Sequence, residues 1–247
     1  DELDMLAAIV NAMLDRIELL MHEVKGVCDN IAHDLRTPLT RLRAQLYRMR
    51  QQAVEGSPEA LQLDEVIGET DTLMARFRGL LRISELEDHQ RRSGFLQLDP
   101  LPLLQELYDF YLPLAEEGQV TLKLETPAAL PGLTGDRALL FEALANLLSN
   151  SIKFTPPGGE VILRATDDNG SPRIEVLDTG PGIPEAERVA VFQRFYRVDD
   201  KHGGFGLGLS IVAAIVSLHG FSLEVNNRES GGAWLTLHCR QSLINPG

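Results

Sequence analysis

The sequence predicts an α plus α/β chain, in which a parallel coiled coil leads into a dimeric antiparallel four-helix bundle and an α/β sandwich follows. Three observations carry this. Leu3, Leu6, Val10, Met13, Ile17, Leu20, Val24, Val27 and Ile31 alternate steps of three and four without a break, a heptad seam sustained over four repeats. Gly56-Ser57-Pro58 then interrupts the helical pattern, which turns the chain into a helical hairpin. From Phe95 onwards helical and alternating stretches interleave, as they do when helices cover a sheet.

The first helix changes rhythm partway. Val27, Ile31, Leu35 and Leu39 follow at steps of four, before Leu42, Leu46 and Met49 return to three and four. An added four-residue step is a stutter, which locally unwinds a supercoil. His33 lies inside it, two residues past Ile31 and about 200° around the helix, so its imidazole is predicted to face solvent. Pro38 has no N–H and leaves the carbonyl of Asp34 without its helical partner, so a kink is expected one turn past His33.

Ser57 is the predicted N-cap of the second helix and Pro58 its first residue. Leu61, Val66, Leu73, Phe77, Leu80, Leu81 and Ile83 give that helix a broad apolar stripe, suited to pairing with its own copy in a bundle. The polar run His89 to Gly94 loses the periodicity and is read as a linker. The predicted division is therefore 1–22 for a signalling helix end, 23–92 for a helical dimerisation domain and 95–247 for the sandwich.

In the sandwich, strands are expected at Val120 to Leu124, Val161 to Ala165, Arg173 to Leu177, Phe221 to Val225 and Ala233 to His238. Asp168-Asn169-Gly170 supplies hairpin-turn chemistry between the second and third of these. Helices are expected over Leu101 to Glu117, Asp136 to Ile152 and Gly208 to Leu218.

Composition narrows the functional classes. At 247 residues and 44% hydrophobic, the chain can bury a substantial core. No run approaches the roughly 18 apolar residues of a membrane span, and the N-terminal residues have neither the basic start nor the apolar core of a signal peptide. With Asp rather than Met at residue 1, the chain is expected to be a fragment. A net charge of −13 argues against general nucleic-acid binding and against adhesion to anionic lipid. Charge is unevenly placed: Arg36, Arg41, Arg43, Arg48 and Arg50 make the first helix basic, while Glu59, Asp64, Glu65, Glu69 and Asp71 make the second acidic. Pairing of the two helices and docking of an acidic partner both fit that pattern. Cys28 and Cys239 have no metal-ligand spacing and read as reduced thiols of a cytosolic setting.

Five motifs carry the chemistry. In His33-Asp34-Leu35-Arg36-Thr37-Pro38-Leu39, a nucleophilic imidazole has a carboxylate beside it and a hydroxyl one turn on. In Asn146-Leu147-Leu148-Ser149-Asn150-Ser151-Ile152-Lys153-Phe154-Thr155, Asn146, Asn150 and Lys153 share one helical face, opposite Leu144, Leu147 and Leu148. Amide oxygens suit Mg²⁺, and an ammonium suits phosphate. Asp178-Thr179-Gly180-Pro181-Gly182-Ile183-Pro184 ends a strand with a carboxylate that can accept from an exocyclic amine, while its glycines let a flat base approach the backbone. Phe192-Gln193-Arg194-Phe195-Tyr196-Arg197 is followed by Gly203-Gly204-Phe205-Gly206-Leu207-Gly208-Leu209-Ser210-Ile211, a glycine run that opens a helix, where free N–H groups can hold phosphate oxygens.

In order and spacing these resemble the H-box, N-box, G1-box, F-box and G2-box of sensor histidine kinases, over nearly the whole chain. The resemblance implies a GHKL-type ATP-binding sandwich behind a dimerisation and phosphotransfer bundle, working as a homodimer with ATP and Mg²⁺. It implies that His33 is the phosphoacceptor, Asp34 its proton partner and Thr37 a residue that positions water for dephosphorylating a partner. Asn150 would ligate Mg²⁺ with Asn146 in support, Lys153 would touch phosphate and Phe154 would pack near adenine. Asp178 would bond the adenine amino group; Gly180, Gly182, Gly204, Gly206, Leu207 and Gly208 would shape the pocket and lid hinge, with Arg197 and Lys201 as phosphate contacts in the lid. The phosphoryl group would pass to an aspartate on the receiver domain of a response regulator.

Residues 1 to 16 are similar to the last helix of a HAMP linker, although Asp4 stands where glycine is common. That similarity implies the cytoplasmic portion of a bacterial inner-membrane sensor, with membrane contact only through segments outside this chain. Two features depart from the family: the stretch between Tyr196 and Gly204 is short, and Phe205 replaces a usually small residue. A gyrase- or chaperone-type ATPase clamp would carry a glutamate four residues before the Mg²⁺-binding asparagine, where this chain has Asn146. An ATP-binding pseudokinase scaffold would not need His33 and Asn150 together.

Overall fold

The structure, a computed structural model, describes residues 38–86, 94–196 and 206–240. The heptad seam from Leu3 to Ile31, the stutter around His33 and most of the His89 to Gly94 run lie outside the described residues. The chain divides into two compact units, Asp1–Ser84 and Glu85–Gly247.

In the first unit, helix α1 runs through residues 38–52 and α2 begins at Pro58, extending to Leu86. Gly56 turns the chain at φ +75°, and Ser57 Oγ accepts from the N–H of Ala60 at 3.1 Å, the expected N-cap. Charge patterning resolves in part into pairing of the two helices. Arg43 Nε meets Asp71 at 2.6 Å, Arg50 Nε donates to Asp64 at 2.7 Å, and the Tyr47 hydroxyl donates to Asp71 at 3.4 Å. Asp64, followed by Glu55, holds the Arg50 guanidinium firmly charged, and Arg50 in turn holds the Glu55 carboxyl below its ordinary range. Ala60, Ile67, Leu81 and Ile83 are buried, whereas Leu42, Met49, Leu61, Val66 and Leu73 remain 42–63% exposed. The apolar stripe of α2 is thus only half used within one hairpin.

The second unit contains β1 (Leu96–Leu98), α3 (Pro100–Glu117), β2 (Thr121–Glu125), β3 (Leu133–Gly135), α4 (Arg137–Phe154), β4 (Glu160–Asp168), β5 (Ser171–Asp178), α5 (Gly208–His219), β6 (Ser222–Asn227) and β7 (Ala233–His238). Five strands form one sheet in the order β2-β4-β5-β7-β6, parallel only between β2 and β4. Alternate residues of that sheet, including Leu122, Val161, Leu163, Ile174, Val176, Leu235 and Leu237, join a core with Leu104 and Leu107 of α3, Leu144 and Leu148 of α4, and Val212 and Ile215 of α5. All three helices therefore lie on one face. The opposite face is mostly polar, with Ile162, Leu177 and Trp234 as apolar members; there Arg164 pairs with Glu125 at 2.7 Å and the Trp234 indole donates to buried Glu175 at 3.1 Å. Asn169 and Gly170 turn β4 into β5 at φ +55° and +85°, as the Asp-Asn-Gly string predicts.

Two local features exceed the sequence reading. β1 pairs antiparallel with β3 as a separate two-stranded ribbon, Leu96 opposite Gly135. Three-residue strands this far apart leave no period-two signal to read. Buried His219 also ties α5 to the start of α4: its Nδ1 lies 2.8 Å from Ile215 O, and its Nε2 accepts from the N–H of Asp136 at 3.0 Å. A ring that donates through Nδ1 and accepts through Nε2 is neutral, and it stacks on Phe95 with centroids 4.4 Å apart.

Candidate functional site

The site is assembled from the C-terminal half of α4, the end of β5 and the start of α5. α4 starts cleanly because Asp136 Oδ1 accepts from the N–H groups of Ala138 and Leu139 at 2.8 and 3.1 Å. Leu144, Leu147 and Leu148 bury its apolar side, which leaves Asn146 and Asn150 half-buried and Lys153 exposed on the other. Asn146 Nδ2 donates to Glu142 O at 2.8 Å. Its Oδ1 faces α5, because a β-carbon on Gly208 would lie 3.0 Å from that oxygen and 3.5 Å from Asn150 Nδ2. The expected amide pair and the expected glycine-led helix therefore meet. Leu207 precedes α5 without a side-chain cap, and its own side chain is buried.

Asp178 closes β5 with a carboxylate that is only 4% exposed. Its Oδ1 accepts from the N–H of Gly180 and of Ala233, each at 2.9 Å, which fixes the carboxylate and leaves Oδ2 for a ligand donor. Gly180 lies between this carboxylate and α4: a β-carbon there would come within 2.9 Å of Phe154 O and 3.0 Å of Asp178 Oδ1. Here the glycine is required by close approach, and that approach brings the end of α4 against the loop after β5. Phe154 is 37% exposed, and the Lys153 ammonium lies 5.3 Å from its ring centroid. Gly206, at φ +66°, accepts at its carbonyl from the N–H of Phe195 at 2.9 Å. A β-carbon on Gly206 would lie 2.6 Å from Tyr196 O, so Gly206 packs closely against Phe195 and Tyr196.

Asn146, Asn150, Lys153, Phe154, Asp178, Gly180, Gly182, Gly206, Leu207 and Gly208 thus sit on three adjoining elements. His33, Asp34, Thr37, Arg197, Lys201 and Gly204 lie outside the described residues. No cluster of three His, Cys, Asp or Glu side chains forms a metal site among the described residues. A neutral amide as the protein's ligand fits Mg²⁺, which keeps waters and substrate phosphates in its shell. Asn146 and Asn150, the two half-buried amides beside the start of α5 at Gly208, are the residues that could supply one.

Sequence reasoning anticipated both strands of the β6–β7 hairpin but missed its contacts with the loop after Asp178. Asn227 exchanges two hydrogen bonds with the backbone of Ile183, Arg228 Nη1 donates to Asp178 O at 3.1 Å, and Gly232 packs against the same carbonyl. The one available signal was Gly231-Gly232 before a strand, which by itself marks only a turn.

The family model described as histidine kinase-, DNA gyrase B-, and HSP90-like ATPase matches residues 135–243. Drug sensory protein A of Synechocystis sp. is 32% identical over 249 residues, covering 92% of this chain and 37% of that protein. The signal transduction histidine-protein kinase/phosphatase MprB of Mycobacterium sp. (strain KMS) is 33% identical over 237 residues, covering 94% of this chain and 46% of its own. The chain spans less than half the length of these relatives. Full-length ShkA, solved in complex with AMPPNP, shares the fold at a TM-score of 0.68 and 24% identity, over 86% of this chain and 45% of that one. Residues 135–243 therefore carry the domain of the histidine kinase-, DNA gyrase B- and HSP90-like ATPases, and over most of its length the chain is similar to sensor histidine kinases.

Proposed function

We propose that this chain transfers the γ-phosphoryl group of Mg-ATP to His33 and passes it to an aspartate on the receiver domain of a response regulator, and that it also dephosphorylates that regulator. The observation that carries the reading is the convergence of Asn146 and Asn150 on Gly208, with Asp178 and Gly180 against the end of α4. A carboxylate for a base, amides for a metal and open helix N–H groups for phosphate are what Mg-ATP needs.

Each residue then has a role. Asp178 Oδ2 accepts from the adenine amine, Asn150 holds Mg²⁺ with Asn146 in support, and Lys153, Arg197 and Lys201 offset phosphate charge. Asp34 holds the N–H of one ring nitrogen of His33, so the other attacks γ-phosphorus in line as the bond to the β,γ-bridging oxygen breaks and ADP leaves. The product is a phosphoramidate. Thr37, one turn further on, serves the dephosphorylation of the regulator. A homodimer is part of this reading, as a four-helix bundle continuous with an upstream parallel coiled coil; the unused apolar stripe of α1 and α2 supports it. No described helix is long and apolar enough to cross a membrane; membrane attachment through segments outside this chain is a further part of the same proposal.

Incubation with γ-labelled ATP and Mg²⁺ tests the proposal. Wild type should take up label that is lost in acid and survives base, while His33→Gln should take up none yet keep nucleotide binding and dimerisation. Label retained on His33→Gln would remove His33 as the phosphoacceptor.

A further inference from the structure

The loop from Asp178 to Pro184 contains two glycines and no polar side chain after Thr179, so no side chain of its own ties down its second half. Its first half is held by Asp178, whose Oδ1 accepts from the N–H of Gly180 at 2.9 Å. Its second half is held from outside by Asn227, at the end of β6. The N–H of Ile183 donates to Asn227 Oδ1 at 2.9 Å, and Asn227 Nδ2 donates back to Ile183 O at 2.9 Å. The amide thus engages both polar backbone groups of one residue, as a neighbouring strand would. Gly182 admits it, since a β-carbon there would lie 2.9 Å from Asn227 Oδ1. The residues after Asn227 hold the other end of the same loop: Arg228 Nη1 donates to Asp178 O at 3.1 Å, and the N–H of Ala233 donates to Asp178 Oδ1 at 2.9 Å. One hairpin therefore sets the spacing between the Asp178 carboxylate and the Gly182–Ile183 peptide.

We propose that Asn227 is a specificity-determining positioning residue, which holds the Gly182–Ile183 wall at the spacing that lets Asp178 select a nucleobase bearing an exocyclic amine. This rests on the reading of Asp178 as the base-contacting carboxylate. A carboxylate discriminates an amine from a carbonyl only if the base cannot slide to relieve the mismatch, and a loop rich in glycine supplies no such restraint. Asn227 supplies it. Only an amide can both accept from the Ile183 N–H and donate to the Ile183 carbonyl at this reach; an aspartate keeps the first bond and sets a carboxylate against the carbonyl oxygen. A residue that only stabilised the turn would, when lost, weaken every nucleotide alike.

Calorimetric titration of the chain in Mg²⁺ with ADP and with IDP, whose base carries a carbonyl in place of the amine, separates the two cases. Wild type should prefer ADP. Asn227→Ala should weaken ADP about tenfold and IDP by less than about twofold, collapsing the preference, and Asn227→Asp should fall between. Gly182→Ala, which displaces the amide from the opposite side, should give the same collapse and be non-additive with Asn227→Ala; it also serves should Asn227→Ala fail to fold. A proportional weakening of both nucleotides, or an unchanged preference, would reduce Asn227 to a structural tie and overturn the inference. Wild-type chain that binds neither nucleotide, or both equally, would overturn the reading of Asp178 itself.

Discussion

At Gly232 a β-carbon would lie 1.9 Å from the carbonyl oxygen of Asp178, and φ is +98°; at Gly231, φ is +90° but the space is open. Gly231→Ala therefore incurs only backbone strain, about 1 kcal/mol, whereas Gly232→Ala must also push the hairpin off Asp178, for a total of about 3 kcal/mol or more. Urea unfolding of both variants measures the difference, and equal costs would contradict the close approach. Cys239 offers a pH test on the same scale. Burial pushes its thiol up from 9.0 to about 12. A raised acid binds its proton longer when folded, so its stabilisation is complete below pH 9.0 and is lost as pH climbs towards 12. By pH 10.5 the loss should reach on the order of 2 kcal/mol. Melting curves from pH 8 to 10.5 should fall less steeply for Cys239→Ala than for wild type; parallel curves would contradict the burial effect.

At the scale of elements, α4 does two jobs along its length. Its apolar side locks onto the sheet, and its amides face the open start of α5. Asn150→Ala leaves that packing alone, so the expected result is a folded chain whose Mg-dependent nucleotide affinity falls more than about tenfold. Removing Mg²⁺ with EDTA should then make wild type and variant alike. Unchanged Mg-ADP affinity in Asn150→Ala would move the metal to another residue. Much of this was legible in the sequence: the Asn146, Asn150 and Lys153 spacing indicated the face, and the Leu144, Leu147 and Leu148 spacing indicated the buried side. What could not be read was that Gly180 fits under Phe154 O, because that contact depends on how far α4 stands from the end of β5.

For the molecule as a whole, the exposed apolar residues Leu42, Met49, Leu61, Val66 and Leu73 are the feature on which the proposed homodimer rests. A charge placed among them would have to be buried unpaired on association. Leu73→Asp should consequently raise the dimer dissociation constant by about a hundredfold or more, shifting the mass measured by light scattering from two chains to one at micromolar concentration. A dimer unaffected by Leu73→Asp would place the interface away from α2. The basic and acidic helices show how far whole-chain reasoning reached: charge counting left pairing and docking both open, and the pairs Arg43–Asp71 and Arg50–Asp64 account for part of the pattern as pairing.

The sequence by itself determined the order of the helices and of the five strands of the main sheet, the buried side of α4, and the motif residues on α4, the end of β5 and the start of α5. Those follow from periodicity, caps and turn chemistry, which act within a few residues of chain. Only the tertiary structure decided which segments support the motifs. Asn227 grips Ile183 from 44 residues away, Ala233 reaches Asp178 across 55, and His219 joins Asp136 across 83. Such contacts arise where the sheet and the helices packed on it bring distant backbone together, and a side chain that bonds another segment's backbone leaves no periodic trace in its own.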